Sequence, residues 1–376
     1  MRAVGLFSGI GGFELGLSKA GIPAHLLCEL WDPAARTLRL RFASDVVGDI
    51  CGLGSIPTSD VVTAGFPCTD LSQVGRTAGI GGTESGLVGE VFRLIERTPP
   101  TWVVLENVPN MLSLHGGAPI RHLTDWFDGN HWNWAYRTVD SQHFGVRQRR
   151  RRVIVVASRT KDPRTVLFAD ECRPRAAARK HLAHGFYWTE GNRGIGWGDG
   201  VTPTLKGGSK LGIASPPGVW LPRRETGRAI VRPTIAAGER LQGFPSHWTA
   251  GAGSEGVRWK LVGNAVTVPV ARWVGNRLLE PGTPVDVPRR PLTQLQRWPL
   301  AAAGVGNERE GWGLSERPLS HHAGPSLASI LQRYGDQPLS LAATKGFTSR
   351  LKASSLRSRP GFVDALDEHI HALEES

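Results

Sequence analysis

The sequence predicts an α/β protein of Rossmann type carrying a small, mostly irregular or β lobe and a helical C-terminal extension. Three observations predict it. Residues 3 to 29 read as strand, glycine-rich turn, helix, strand and acid, the outline of a nucleotide-binding βαβ unit. Short apolar runs recur at 61–64 and 102–105, as expected of strands buried on both faces of a parallel sheet. Between residues 158 and 231 periodicity weakens and Gly, Pro, Arg and Trp concentrate, after which helical pattern returns. The expected organisation is a catalytic, cofactor-binding domain over 1–157, a lobe over 158–231, a return to the first domain over 232–280, and an accessory region over 281–376 beyond a proline-rich joint.

Taken in order, Ala3 to Phe7 is the first strand, and Ser8-Gly9-Ile10-Gly11-Gly12 is a turn whose glycines let backbone approach a ligand. Phe13, Leu15, Leu17 and Ala20 mark a helix closed by Gly21. The second strand, Ala24 to Cys28, ends at Glu29, 20 residues after Gly9, where an acid can bind both ribose hydroxyls. The dinucleotide fingerprint is not met, because Glu14 stands where its third glycine belongs. An acid there opposes a pyrophosphate at the helix N-terminus. A ribose-bearing ligand with a cationic tail fits better, and S-adenosylmethionine is one. Trp31 is a candidate to stack on adenine or a core aromatic, and Asp49 ends a third strand, where it can receive an adenine amino group.

The strand before Gly65 leads into Gly65-Phe66-Pro67-Cys68, placing Cys68 on a loop past a strand's carboxyl end, where α/β sheets bind ligands. A thiol there is either a nucleophile or a small buried hydrophobe. Residues 75–86 are rich in Gly, Thr and Ser and read as a lid beside it. A helix over 87–97 and a strand over 102–105 follow, and the strand ends in Glu106-Asn107-Val108 on the same rim. Residues 134–139 and 152–157 read as a strand pair joined by the run Gln148 to Arg152, with Arg150 and Arg152 on one face.

Residues 145–232 hold 19 Lys/Arg against 6 Asp/Glu, so this segment carries the whole formal excess of +12. That favours a surface facing a polyanion, most simply nucleic acid, over a solvated face. Lys345, Arg350, Lys352, Arg357 and Arg359 are either a second phosphate contact or a solvated loop. The four cysteines, Cys28, Cys51, Cys68 and Cys172, show no zinc spacing and suit a reducing compartment, so the chain is expected in the cytoplasm. No apolar run approaches the ~20 residues of a membrane span.

In this order the motifs resemble those of the DNA (cytosine-5) methyltransferase family. They are FSGIGGFELGL, Glu29 with Trp31, GFPC, Glu106-Asn107-Val108, Gln148 to Arg152, Arg240 to Pro245, and Gly263-Asn264-Ala265-Val266. The family often has Gln where this chain has Thr69. The resemblance covers about residues 3–280 and implies a Rossmann-like, S-adenosylmethionine-dependent methyltransferase whose lobe at 158–231 is the target-recognition domain. It implies catalysis by Cys68, Glu106, Arg150 and Arg152. Cofactor binding is implied for Phe7, Ser8, Gly9, Gly11, Gly12, Glu29, Trp31, Asp49, Ile50, Pro67, Leu87, Asn264 and Val266. DNA contacts are implied for Ser72, Gln148, Arg240, Thr204 and Lys206, with no metal. The expected partner is double-stranded DNA, bound by a monomer, and a cognate restriction endonuclease acting separately stays open. The other readings are methylation of RNA cytosine, a non-enzymatic DNA-binding regulator, and a nicotinamide oxidoreductase. Glu14 disfavours the last, and the presence of Cys68, Glu106 and the arginines disfavours the regulator.

Overall fold

The computed structural model describes residues 1–66, 86–172, 183–189, 194–207, 215–225, 228–306, 308–319 and 324–375. The chain forms two compact units. The larger takes Met1–Phe144, Arg151–Pro174 and Val266–Ser320, and the smaller takes Gly145–Arg150, Arg175–Ala265 and His321–Ser376.

The larger unit is built on ten strands: β1 (Ala3–Leu6), β2 (Ala24–Cys28), β3 (Asp45–Val47), β4 (Val61–Ala64), β5 (Trp102–Asn107), β6 (Asn133–Asp140), β7 (Arg151–Ser158), β12 (Arg289–Pro291), β13 (Ala301–Val305) and β14 (Glu308–Trp312). Their order is β12-β14-β13-β6-β7-β5-β4-β1-β2-β3. From β3 to β5 every pair is parallel. From β5 through β7 to β12 every pair is antiparallel. The apolar runs are continuous because both faces of the sheet are covered. Val4, Leu6, Val62, Val103 and Leu105 meet Val91 and Phe92 of helix Leu87–Arg97 and Phe127 of helix Ala118–Gly129. Ala3, Val61, Trp102 and Val104 meet Leu17 of helix Gly12–Ala20 and Val274 of helix Val268–Leu279. Each such aliphatic side chain contributes about 1.5–3 kcal/mol by leaving water.

The first and last of these helices pack closely because each offers a glycine. A Cβ on Gly16 would run into Ala271 and the Val268 carbonyl, and one on Gly275 into Ala20 and Leu17. This contact carries the chain back beside the glycine turn of residues 8–12.

The proline-rich stretch after Glu280 is not a boundary between bodies. Strands β12, β13 and β14 extend the large sheet, with Ala301–Gly304 registered against Trp134–Arg137. Arg137 has no exposed surface. Its guanidinium donates to the carbonyls of Leu167 (3.1 Å), Asp170 (2.5 Å) and Ser315 (2.9 and 2.7 Å), and pairs with Glu171.

The smaller unit holds an antiparallel sheet of β8 (His184–Phe186), β9 (Gly198–Asp199), β10 (Gly218–Trp220), β11 (Ile230–Pro233) and β15 (Asp336–Pro338), in the order β15-β11-β10-β8-β9. Strands β8, β9 and β10 fall within residues 158–231, whereas β11 runs past that range and β15 comes from the C-terminal region, which also holds the helices Leu327–Tyr334 and Phe362–Glu374. A third helix there is Leu341–Lys352.

Candidate active site

The glycine turn sits where β1 ends. Phe7 (φ 54°), Gly9 (57°) and Gly11 (82°) all take positive φ, which folds the turn back over the strand. The turn is tied to β2: the Ser8 amide donates to the Cys28 carbonyl at 3.1 Å. Glu29 receives the Gly9 amide at 2.7 Å on one oxygen and the Trp31 amide at 2.8 Å on the other. Each carboxylate oxygen has a second lone pair, so a ribose diol still finds acceptors. Burial pushes the Glu29 carboxyl up, while the two amides pull it down. Asp49, exposed at the end of β3, accepts the Cys51 amide at 3.0 Å. Ile50 is buried, and Phe7 and Leu87 are partly buried against the same apolar cluster. A backbone turn, a ribose acceptor and an acid at the next strand's end together fit the adenosine half of S-adenosylmethionine.

Val266 closes this site. Its carbonyl lies where a Cβ on Gly12 would stand, and its Cγ2 lies 3.7 Å from the Cβ position of Gly65. Gly12→Ala is therefore expected to destabilise the protein by about 1–3 kcal/mol and to weaken cofactor binding. A melt and a calorimetric titration check it, and an unchanged melt contradicts it. Asn264 belongs to the smaller unit, exposed at the end of helix Glu255–Asn264 beside Gly207.

Glu14 is not a surface acid facing the turn. It is 1% exposed, folded inward over Gly5, with Thr63 Oγ1 donating to it at 3.5 Å. Burial pushes its carboxyl from an ordinary 4.5 up to about 7. The repulsion of a pyrophosphate expected from the sequence is accordingly weaker. The native state holds this proton more firmly than the unfolded chain, so its contribution to stability falls as pH rises from 4.5 to about 7 and is flat above. Glu14→Gln is expected to remove that slope and to melt higher than wild type above about pH 7. Parallel melting curves of the two proteins contradict the burial argument.

The second half of the site is the end of β5. Glu106, 8% exposed, has Oε1 at 2.8 Å from Arg152 Nε on the neighbouring strand β7. Asn107 donates from Nδ2 to the Phe66 carbonyl at 3.2 Å and accepts the Val108 amide at 2.8 Å. It thus anchors the point from which the chain runs to Cys68. Pro67, Cys68 and Ser72, with most of the expected lid, lie outside the described residues. Among the described cysteines, Cys28 is buried, donates to the Gly48 carbonyl at 3.1 Å and has its thiol pushed up to about 12 by burial. Such a thiol is a poor nucleophile.

The arginine run divides between the units at Arg150 and Arg151. Arg150 does not share a strand face with Arg152, because β7 starts at Arg151. Arg150 is 1% exposed and donates to the carbonyls of Leu205 (3.3 Å), Gly263 (3.0 Å) and Ala265 (2.9 Å). These bonds tie together the segments around 205 and 263–265 within the smaller unit. Gln148 is wholly buried, donating to the Leu241 carbonyl and to Gln242 and accepting the Leu205 amide at 2.8 Å. It holds the segment 202–205. Thr204 gives its hydroxyl to the Arg149 carbonyl at 2.8 Å. Lys206 is exposed with its ammonium 4.1 Å above the Tyr187 ring, and burial of its stem lowers its pKa. Arg240 is half-buried, donating to the Phe244 carbonyl at 3.0 Å and lying 5.3 Å over Tyr334.

The family model for C-5 cytosine-specific DNA methylases matches residues 1–182. The type II methyltransferase M2.BsuMI of Bacillus subtilis (strain 168) is 40% identical over 396 residues, covering 100% of this chain and 97% of that protein. The chain belongs to the C-5 cytosine-specific DNA methylase family. A second relative, M.BsuFI of Bacillus subtilis, is 32% identical over 156 residues, 41% of this chain and 38% of its own. The Dnmt2 methyltransferase of S. pombe superposes with a TM-score of 0.55 at 16% identity, covering 74% of this chain and 98% of that one. At that identity the likeness shows the fold alone, the Rossmann-like methyltransferase fold. As a DNA (cytosine-5) methyltransferase, the enzyme works in a family that uses S-adenosylmethionine as methyl donor. Its similarity to M2.BsuMI runs through the whole tail, which the motifs alone do not reach.

Two roles within this methylase were missed from the sequence. Asn107 was read only as part of a motif, although its carboxamide is what fixes Phe66. The pairing of residues 147–149 with 202–204 left no signal, since neither stretch alternates.

Proposed function

We propose that the enzyme transfers a methyl group from S-adenosylmethionine to carbon 5 of a cytosine flipped out of a specific duplex DNA sequence, through a covalent bond to Cys68. Its role is that of a type II modification enzyme, and it acts in the cytoplasm as a monomer. Among the described residues no helix is long and apolar enough to cross a membrane. The observation that supports the reading most is the Glu106–Arg152 pair at the end of β5, beside Asn107, whose Nδ2 donates to the carbonyl of Phe66, two residues before Cys68 in sequence.

Carbon 5 of cytosine is too weak a nucleophile to accept a methyl unaided. The Cys68 thiolate adds to carbon 6, forming a carbon–sulfur bond and moving electron density toward N3 and O2. Glu106, carrying or sharing a proton, donates to N3 and accepts from the exocyclic amine, and Arg152, paired with Glu106 and donating from Nη1 to the Arg151 carbonyl, offers Nη2 to O2. When bound, the cofactor supplies an electrophilic methyl on a sulfonium. Loss of the carbon-5 proton to a base then expels the Cys68 sulfur and restores the ring. The target is inaccessible inside a duplex, so the base is extruded at a cost of a few kcal/mol.

The test is transfer of labelled methyl to duplex DNA, followed by bisulfite sequencing of DNA from cells expressing the protein. The expected result is 5-methylcytosine within one short sequence. Methylation of RNA and not of DNA, or none of either, would overturn the reading.

A further inference from the structure

The tail of the chain completes the smaller unit instead of decorating it. Strand β15 lies at the edge of the small sheet, with Val231 registered against Pro338, Arg232 against Gln337 and Pro233 against Asp336. Phe347, Leu351, Phe362 and Leu366 enter the same apolar core as Phe186, Trp220 and Ile230. The buried His369 ring nitrogen lies 2.8 Å from the Leu339 carbonyl.

The tail also grips the turn that links β10 to β11. Asp336 takes the Arg224 guanidinium in a two-pronged pair at 2.8 and 2.7 Å, with the carboxylate only 14% exposed. Gln337 accepts from Arg232 at 2.7 Å. Two more cations of this segment, Arg223 and Arg228, are exposed and meet no carboxylate among the described residues. The turn therefore carries some arginines fastened inward by the tail and others left facing solvent. A fork–fork pair fixes a guanidinium in position and direction. Exposed, unneutralised arginines beside it suit phosphate oxygens of a nucleic acid backbone.

We propose that the C-terminal segment is an integral half of the DNA-recognition unit, in which Asp336 is a positioning residue. Through Arg224 it sets the turn so that Arg223 and Arg228 meet DNA phosphates. This rests on reading the smaller unit as the part that grasps DNA. Methyl transfer itself does not depend on Asp336, so its loss changes how DNA is held and not how fast bound DNA is methylated.

The experiment uses the full chain, a duplex carrying the target sequence and labelled S-adenosylmethionine. Asp336→Ala is expected to raise KM for DNA roughly fivefold to tenfold, leaving kcat and cofactor affinity unchanged. The exchanged pair Asp336→Arg with Arg224→Asp is expected to restore KM. The double variant Arg223→Ala with Arg228→Ala is expected to weaken binding to duplexes of any sequence and to reduce the salt slope by about two. Unchanged KM in Asp336→Ala, or a loss of cofactor affinity and melting temperature in step with DNA affinity and without rescue, would overturn the proposal. Wild-type protein that methylates no DNA would instead sink the functional reading beneath it, so the two failures are told apart.

Discussion

Cys68→Ala is expected to lower methyl transfer by at least about 1000-fold while leaving cofactor and DNA affinity near wild type. Without the sulfur there is no addition at carbon 6, and carbon 5 keeps its aromatic reluctance toward an electrophile. The proposed cofactor residues, Glu29, the glycine turn and Val266, are held by contacts that do not involve the thiol. Single-turnover transfer to a duplex, alongside calorimetric titration of cofactor, reads both quantities. A variant that still methylates at an appreciable rate would remove the covalent mechanism, whatever its affinity for DNA.

Arg150→Ala is expected to destabilise the smaller unit by about 3–5 kcal/mol and to abolish methylation of DNA. A wholly buried guanidinium joins the carbonyls of Leu205, Gly263 and Ala265, tying together two segments far apart in sequence. Truncation leaves a cavity and strips charge-assisted bonds from those carbonyls. Arg150→Lys keeps the charge but not the fork, so it is expected to recover only part of the stability. Denaturant unfolding measures the loss. A variant with native stability but no turnover would instead return Arg150 to direct catalysis.

What the sequence made legible follows from how local each signal is. The βαβ unit was readable because strand, turn, helix and acid lie within residues 3–29 and each element has its own signature. Glu106 and Arg152 were readable as groups at strand ends, yet their pairing across β5 and β7 depends on register, which no single segment contains. The burial of Arg150 and Gln148 was not legible in an arginine-rich run, because it depends on partners more than fifty residues away. Strand β13 was missed because Ala301-Ala302-Ala303-Gly304 has no strand-forming side chains. Its pairing with β6 works because Gly304 leaves room for the Trp134 indole. The basic tail was left open between phosphate contact and solvated loop. In the structure Lys345 pairs with Glu374, Lys352 with Asp367, Arg359 with Asp199, and Arg350 donates to the Trp188 carbonyl, so most of that charge is used within the unit.

The most direct measurement of the central claim is a trapping experiment. A duplex carrying 5-fluorocytosine at the methylated position cannot lose a proton from carbon 5, so the enzyme stalls with its sulfur still bonded to carbon 6. A denaturation-resistant, one-to-one complex is expected that forms only with S-adenosylmethionine present and whose cross-linked peptide contains Cys68. No complex under conditions that support turnover on cytosine, or a cross-link at any other residue, would contradict it.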